Sequence, residues 1–322
     1  MRMTTKLWLI IAASLILVGC IIFVGIMGMV KWDFTKLSTG RYETNQHEIT
    51  DKFNDVSIKT DTADLIFALS EDGKCRVECY EETKAKHSVY VENDTLVISI
   101  DNKKAWYDYI GINLGSPKIT VYLPDAEWSA LAISKSVGYV ELPKDFKFDE
   151  IDIALSTGNV KCFASASELI KIKATTGNIN ITEVSAGELD LSTTTGGITL
   201  SNVFCEGKIK INTTTGKTNL SDVECGSLVS TGTTGDISLN HVVATENFSI
   251  KISTGNVGFV GSDASEIFVE TSTGKVTGSL LTDKVFITHT STGSINVPKS
   301  VIGGKCEITT KTGNIKITIE QN

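Results

Sequence analysis

The histidine, cysteine and hydroxyl side chains of this 322-residue sequence are the types that serve in catalysis and metal binding, but their spacing argues against an active site. The four histidines, His47, His87, His241 and His289, lie far apart and form no His-Glu-x-x-His pair. The glycines form neither a phosphate-binding loop nor the Gly-x-Ser-x-Gly elbow of a hydrolase. We therefore expect no catalytic, cofactor-binding or metal-binding residue, and no enzyme.

Threonine followed by glycine is the most regular feature of the chain. Nine such pairs recur with their glycines 19 or 20 residues apart; these periodic pairs are Thr157-Gly158, Thr176-Gly177, Thr195-Gly196, Thr215-Gly216, Thr234-Gly235, Thr254-Gly255, Thr273-Gly274, Thr292-Gly293 and Thr312-Gly313. A fixed period of this length is typical of a solenoid, in which each coil buries its apolar side against its neighbours.

Aliphatic residues alternate with other residues on both sides of each pair. Ile151 and Ile153 precede Gly158, and Val160 and Cys162 follow it. This pattern predicts two short strands joined at a glycine corner, with a second bend in the linker that spans 183–187 in the next coil. A hairpin meander would not require one constant phase over nine copies. We therefore predict an all-β fold: a parallel β-solenoid, roughly 40 Å long at about 4.8 Å per coil.

Counting every second residue from the core aliphatics reaches the threonine of each pair, so it should lie on the inward side of its strand. We expect these threonines to point inward and to fix the register of the coils. An ice-binding array is the sharper alternative, because several coils read Thr-x-Thr. An ice-binding face must be flat and exposed, so the inward parity argues against it.

The seven cysteines are odd in number and lack Cys-x-x-Cys spacing, which favours neither a disulfide framework nor a metal cage. Cys205 and Cys225 lie about one coil apart, so a disulfide between adjacent coils is an alternative to two buried free thiols.

The N-terminal part has the same pattern in a degenerate form. One coil surrounds Ala63, another surrounds Gly138, and the residues between them (about 70–128) read as a β cap with a hairpin turn at Glu92-Asn93-Asp94. We divide the chain into a cytoplasmic N-terminus (1–6), an anchor (7–30), a juxtamembrane linker (31–50), a first coil with its cap (51–145) and the repeats (146–322).

Two segments are candidates for contacts with a partner. Trp106, Tyr107 and Tyr109 form an aromatic cluster that suits recognition, although packing of the cap onto the solenoid is the alternative. The last strand, 315–319, ends almost at the C-terminus, so it would leave an open edge for self-association.

A membrane anchor is predicted near the start of the chain. Residues 7–30 are uncharged and largely apolar, long enough to cross the membrane, and Trp8 and Trp32 lie near the two ends. Arg2 and Lys6 precede the stretch, which favours a single-pass cell-membrane protein whose C-terminal domain is extracytoplasmic. The alternatives are a cleaved signal peptide and lipidation of Cys20, which ends a lipobox-like Leu-Val-Gly-Cys.

The formal net charge of −8 and the scattered basic residues argue against nucleic acid as a partner.

The anchor, the VSIKTDTADLIF coil, the KITVYLP strand and the serial STGNV and TTGNI corners together resemble the bacterial putative-adhesin family known as domain of unknown function 4097. The resemblance covers residues 50–322 and implies a membrane-anchored, envelope-associated β-solenoid, sometimes linked to envelope stress, with no family active-site residues. We therefore predict a non-enzymatic binding or scaffold module with an envelope protein or glycan as ligand. The alternatives are a self-assembling envelope element and a polysaccharide-acting β-helix enzyme.

Overall fold

The computed structural model describes residues 3–33, 40–109 and 115–320. One helix, α1 (Met3–Met29), precedes a body built of β-strands. The strands are β1 Tyr42–Ile49, β2 Asp55–Thr60, β3 Asp64–Leu69, β4 Cys75–Glu82, β5 Ala85–Glu92, β6 Thr95–Asn102, β7 Lys118–Leu123, β8 Glu127–Val137, β9 Val140–Leu142, β10 Lys147–Thr157, β11 Val160–Cys162, β12 Ser165–Thr176, β13 Ile179–Thr195, β14 Ile198–Thr215, β15 Thr218–Thr234, β16 Ile237–Thr254, β17 Val257–Thr273, β18 Val276–Leu280, β19 Lys284–Thr292, β20 Ile295–Asn296, β21 Gly304–Thr312 and β22 Ile315–Ile319.

The repeats form a parallel β-solenoid, as the aliphatic phase predicts, and the whole solenoid has about ten turns. Each coil pairs in parallel with the next, so that equivalent residues stack into internal columns. One column runs Ile151, Ile170, Leu189, Ile209, Leu228, Phe248 and Ile267, all of them buried. Burial of each such side chain contributes about 1.5–3 kcal/mol, so the stacked columns hold the fold together.

Each central coil turns at three places. The first bend is the Thr-Gly corner. The second is a non-glycine residue with positive φ, such as Glu183 at 56° or Asn202 at 53°. The third is an irregularity in the register, between Ala186 and Leu189 in the first of these coils. The single linker bend expected at 183–187 is therefore two bends. The short strand segment between them buries Val184 and Ala186.

The N-terminal part contains the two degenerate coils, and one more. β2 and β3 form the coil around Ala63, which stacks in parallel on β8 and β9 around Gly138. β6 and β7 add a further parallel rung on the other side of β2 and β3. The expectation that all of 70–128 is a cap is therefore wrong in part, because β6 and β7 belong to this parallel rung. The strands β1, β4 and β5 pair only antiparallel, and they form the cap. The hairpin turn at Asn93 and Asp94 joins β5 to β6 as predicted.

The last two coils are exchanged in space. β21 lies between β17 and β19, and β22 lies between β18 and β20. The expectation that β22 is the open edge is therefore wrong. Within the part of the chain that the structure describes, β19 and β20 each pair on one side only and form the terminal rung.

The predicted anchor is helical. Its apolar part spans Lys6–Met29, 24 residues with a mean hydropathy of 3.0, and is long enough to cross a membrane. Part of the predicted juxtamembrane linker, 34–39, lies outside the described residues.

Candidate functional site

The nine glycines form a column in which backbone packs directly on backbone. A Cβ built on Gly177 would lie 1.7 Å from the carbonyl oxygen of Gly158, and one built on Gly196 would lie 1.9 Å from that of Gly177. Gly196 also has a φ of +144°, in the range that residues with a side chain rarely adopt. The corner therefore requires glycine for two reasons, and the close approach between coils is one that the sequence pattern did not reveal.

The threonines beside these glycines all face solvent. The expectation that they point inward is wrong, because the bend interrupts the alternation: Leu155 is buried, whereas Ser156 and Thr157 are both exposed. The inward position belongs to the residue two places earlier. There Thr193 and Thr310 donate hydroxyl hydrogen bonds to the carbonyl oxygens of Gly177 and Gly274, each over 3.1 Å.

Because the threonines are exposed, an inward orientation no longer argues against an ice-binding array. The surface around them is nevertheless not a uniform threonine face. The next outward column on the long side is mixed and contains Lys173, Asn212 and Glu270.

Asparagine and aspartate form a hydrogen-bonded ladder just after the glycines, which the sequence analysis missed. The Asn159 Oδ1 accepts a hydrogen bond from the backbone N–H of Asn178 over 2.8 Å, and the Asn178 Oδ1 accepts one from Gly197 over 2.8 Å. The Asp236 Oδ1 accepts from the Asn256 N–H over 2.9 Å. The recurrence of Asn at this position was the available signal. The ladder ties neighbouring corners together.

A lateral groove runs along the second bend, where several coils expose apolar side chains. It is centred on Ser185, Phe204, Glu224, Val243 and Leu281 and has a volume of about 550 Å³. Phe204 is 53% exposed and Val243 is 38% exposed. Its rim is acidic, with Glu183 and Asp222 beside Glu224, and a second hollow of about 490 Å³ continues past Phe204. The sequence does not reveal this groove, because the residue type at its central position changes from coil to coil.

The aromatic cluster forms a short 3-10 turn, Trp106–Tyr109, which we call the aromatic turn. Trp106, Tyr107 and Tyr109 are 76%, 58% and 63% exposed, so the alternative that they pack the cap onto the solenoid is wrong. Asp108 braces the turn: its Oδ2 accepts a hydrogen bond from the Ala105 N–H over 2.9 Å. The hydrogen bond from Lys84 lowers the pKa of Asp108 and keeps its carboxylate charged.

A buried polar network joins the cap to the first coil. His87 Nδ1 lies 2.7 Å from Glu81 Oε2, and His87 Nε2 lies 2.8 Å from the Thr60 hydroxyl. Asn45 donates to the other Glu81 oxygen over 2.7 Å. Cys79 brings a thiol within 4.8 Å of the Glu81 and His87 ligand atoms, so this is where, among the described residues, a metal ion could be held. Because both nitrogens of His87 and both oxygens of Glu81 already have protein partners, we interpret the network as a structural link.

Lys135 occupies the inward corner position of the coil around Gly138. Its ammonium group donates to the carbonyl oxygens of Ala63 over 2.6 Å and Tyr139 over 3.0 Å. Burial lowers the pKa of Lys135 to about 8, although the carboxylate of Asp64 opposes this shift.

All seven cysteines lie within the described residues and are free thiols. Cys205 and Cys225 are direct neighbours on adjacent coils, as their spacing predicts. Burial raises the pKa of Cys225 to about 12, so its thiol stays protonated and unreactive near neutral pH.

Two solved structures with similar folds come from species of Parabacteroides. A putative adhesin from Parabacteroides merdae has a TM-score of 0.53 at 15% identity and covers 76% of this chain and 98% of its own. A putative adhesin from Parabacteroides distasonis has a TM-score of 0.50 at 13% identity and covers 87% of this chain and 98% of its own. At such identities the likeness shows the fold alone. A search of curated proteins finds no match.

The model of the Toastrack DUF4097 family matches residues 53–226. That range includes the N-terminal coils, the cap strands β4 and β5 and the first Thr-Gly corners, and it is more than half of the chain. The resemblance noted in the sequence is thereby confirmed, and the chain belongs to the Toastrack DUF4097 family.

Proposed function

We propose that this protein is a membrane-tethered β-solenoid that stands outside the cytoplasm and binds a ligand of the cell envelope through its lateral groove. The observation that carries the proposal is the groove itself. It is a long concave surface in which Phe204 and Val243 expose apolar side chains beside acidic ones.

The N-terminal helix supports the tether. Its apolar part is 24 residues long, and the basic residues Arg2 and Lys6 precede it, which favours an N-terminus on the cytoplasmic side. The names of the structural neighbours, putative adhesins, point to the same class of role in those proteins.

The composition of the groove indicates the kind of ligand. Phe204 and Val243 would contact an apolar group, while Glu183, Asp222 and Glu224 would attract basic groups. An extended, basic segment of an envelope protein fits this arrangement better than a glycan, because flat aromatic rows suited to stacking on sugars do not line the described part of the groove.

Retention of separated envelope fractions tests the proposal. The full chain in vesicles would be mixed with an envelope protein fraction and, separately, with a purified envelope glycan fraction. We expect the protein fraction to be retained by the wild type and lost with Phe204→Ser, and the Glu224→Gln variant to weaken retention by roughly fivefold.

Phe268→Ser is the matched control, because Phe268 is a partly exposed phenylalanine on another side of the solenoid. It should leave retention unchanged. Retention that survives Phe204→Ser would contradict the assignment of the groove, and retention of the glycan fraction alone would contradict the choice of ligand.

Self-assembly is the second candidate function, and the terminal rung favours it. β19 and β20 leave one edge unpaired among the described strands, and Ile287, Ile295, Val301 and Ile302 are 51%, 45%, 91% and 65% exposed nearby. Analytical ultracentrifugation of the full chain in detergent would show concentration-dependent dimers that Val301→Lys abolishes. A monomer at high concentration would contradict this alternative.

A further inference from the structure

The aromatic turn is an exposed apolar patch on a rigid support. Trp106 is the most exposed aromatic side chain of the described body, at 76%, with Tyr107 and Tyr109 close behind. The support is rigid because Asp108 pairs with Lys84 over 2.5 Å, and Asn102 donates to the Tyr109 hydroxyl over 3.0 Å. A braced turn that keeps large aromatic rings in solvent suggests a contact with something outside the chain.

The turn lies where the chain enters the body from the anchor. The carbonyl oxygen of Arg41, just before β1, accepts a hydrogen bond from Thr83 over 2.9 Å. The next residue, Lys84, accepts a backbone hydrogen bond from Lys103 and forms the ion pair with Asp108. Two hydrogen bonds and one ion pair thus connect the entry point to the aromatic turn.

The length of the linker keeps this end of the body near the membrane. Asp33 follows the helix and Gly40 begins the body, and the seven residue steps between them span at most about 25 Å. The aromatic turn can therefore reach the membrane surface when the anchor is inserted.

The charges around the turn are balanced. Lys84 pairs with Asp108, Lys103 with Asp101 and Lys104 with Glu82, so no net basic patch faces outward. Attraction to anionic headgroups is therefore weak, and any affinity for a membrane must come from the rings. Tryptophan and tyrosine favour the interface, where their apolar bodies and polar tips are both accommodated.

We propose that Trp106, Tyr107 and Tyr109 insert into the headgroup region of the membrane that holds the anchor. This second contact would fix the orientation of the solenoid on the membrane surface, with the lateral groove displayed beyond it. The inference rests on the proposed membrane tether.

Quenching of tryptophan fluorescence by brominated phosphatidylcholine tests the contact in the full chain. In a background of Trp8→Phe and Trp32→Phe, the remaining tryptophans are Trp106 and Trp128. Trp128 is 6% exposed and stacks on Phe53 at 5.1 Å, so it should be insensitive to lipid. We expect vesicle reconstitution to shift the emission to the blue and brominated lipid to quench it, and we expect Trp106→Phe to abolish both changes.

A matched control and a salt series make the outcome specific. A tryptophan placed in the groove by Phe204→Trp, in the Trp106→Phe background, should not be quenched, and 1 M salt should leave the quenching of Trp106 unchanged. Quenching that is independent of Trp106, or that salt removes, would overturn the inference. Flotation with the vesicles reports the anchor separately: chain that floats without quenching contradicts this inference alone, and chain that does not float contradicts the tether as well.

Discussion

Gly274 donates its backbone N–H to the carbonyl oxygen of Thr312 over 2.9 Å, although Thr292 belongs to the next Thr-Gly pair along the chain. Gly313 in turn donates to Thr292 over 3.0 Å. The last coil in sequence is therefore the penultimate coil in space. The exchange leaves β19 and β20, rather than the strand at the C-terminus, as the free end of the solenoid.

Engineered disulfides test the exchange. Glu270 lies directly beside Thr309 in the register, whereas His289 lies on the far side of Thr309. Adjacent rungs are about 4.8 Å apart and alternate rungs about 9.6 Å, and a disulfide requires Cα atoms within about 7 Å. We expect Glu270→Cys with Thr309→Cys to cross-link on oxidation, seen by peptide mapping. A cross-link in Glu270→Cys with His289→Cys instead would show that the coils follow sequence order.

The glycine column predicts a large effect of one added methyl group. Gly196→Ala would place a Cβ 1.9 Å from the carbonyl oxygen of Gly177 at a φ of +144°, so we expect a loss of about 3 kcal/mol or more in the free energy of unfolding. Denaturant titration measures this loss. Gly258→Ala is the control, because its Cβ would meet nothing within 4 Å. Equal stability of the two variants would contradict the close packing of the corners.

The asparagine ladder predicts a smaller effect with a specific rescue. Asn178→Ala removes the acceptor for the Gly197 N–H, and we expect a loss of about 0.5–1.5 kcal/mol in the free energy of unfolding. Asn178→Asp keeps the acceptor, as Asp236 does for Asn256, and should lose less. If the aspartate variant is no more stable than the alanine variant, the side-chain oxygen is not what stabilises the corner.

Lys135 predicts a pH dependence of stability. Its pKa is lowered from 10.5 to about 8 by burial, so the unfolded chain binds its proton more tightly than the folded chain. Between about pH 8 and pH 10.5 the unfolded state therefore holds more protons, and the contribution of this lysine to stability rises with pH by about 1–3 kcal/mol.

The difference in free energy of unfolding between the wild type and Lys135→Met isolates this contribution from other groups that titrate in the same range. Parallel denaturant titrations from pH 7 to pH 10.5 should show the difference moving in favour of the wild type. A difference that stays constant with pH would mean that the ammonium group is not desolvated in the folded state.

The fold could be predicted from the sequence where the aliphatic phase repeats, as it does from Ile151 to Val269 with Ser230 as an exception in one core column. The direction of Thr195 could not, because alternation stops at a bend and Thr194 and Thr195 are both exposed. The order of the last coils could not be predicted either. The spacing of Gly293 and Gly313 along the sequence is the same whichever of the two coils stacks on the coil of Gly274. The exposure of Phe204 could not be predicted either, because the equivalent positions in neighbouring coils hold serine, glutamate and valine. No repeated residue type marks this column as a surface groove.

Cysteine labelling in intact bacterial cells tests the central claim most directly, namely that the solenoid is tethered to the membrane, faces outward and exposes its Thr-Gly threonines. The six native cysteines of the body are buried and Cys20 lies in the anchor, so the wild type should remain unlabelled. We predict that Thr195→Cys reacts with a membrane-impermeant maleimide in intact cells. A Thr195→Cys variant that is labelled only after lysis would contradict outward display, and one labelled only after unfolding would contradict the exposed corner.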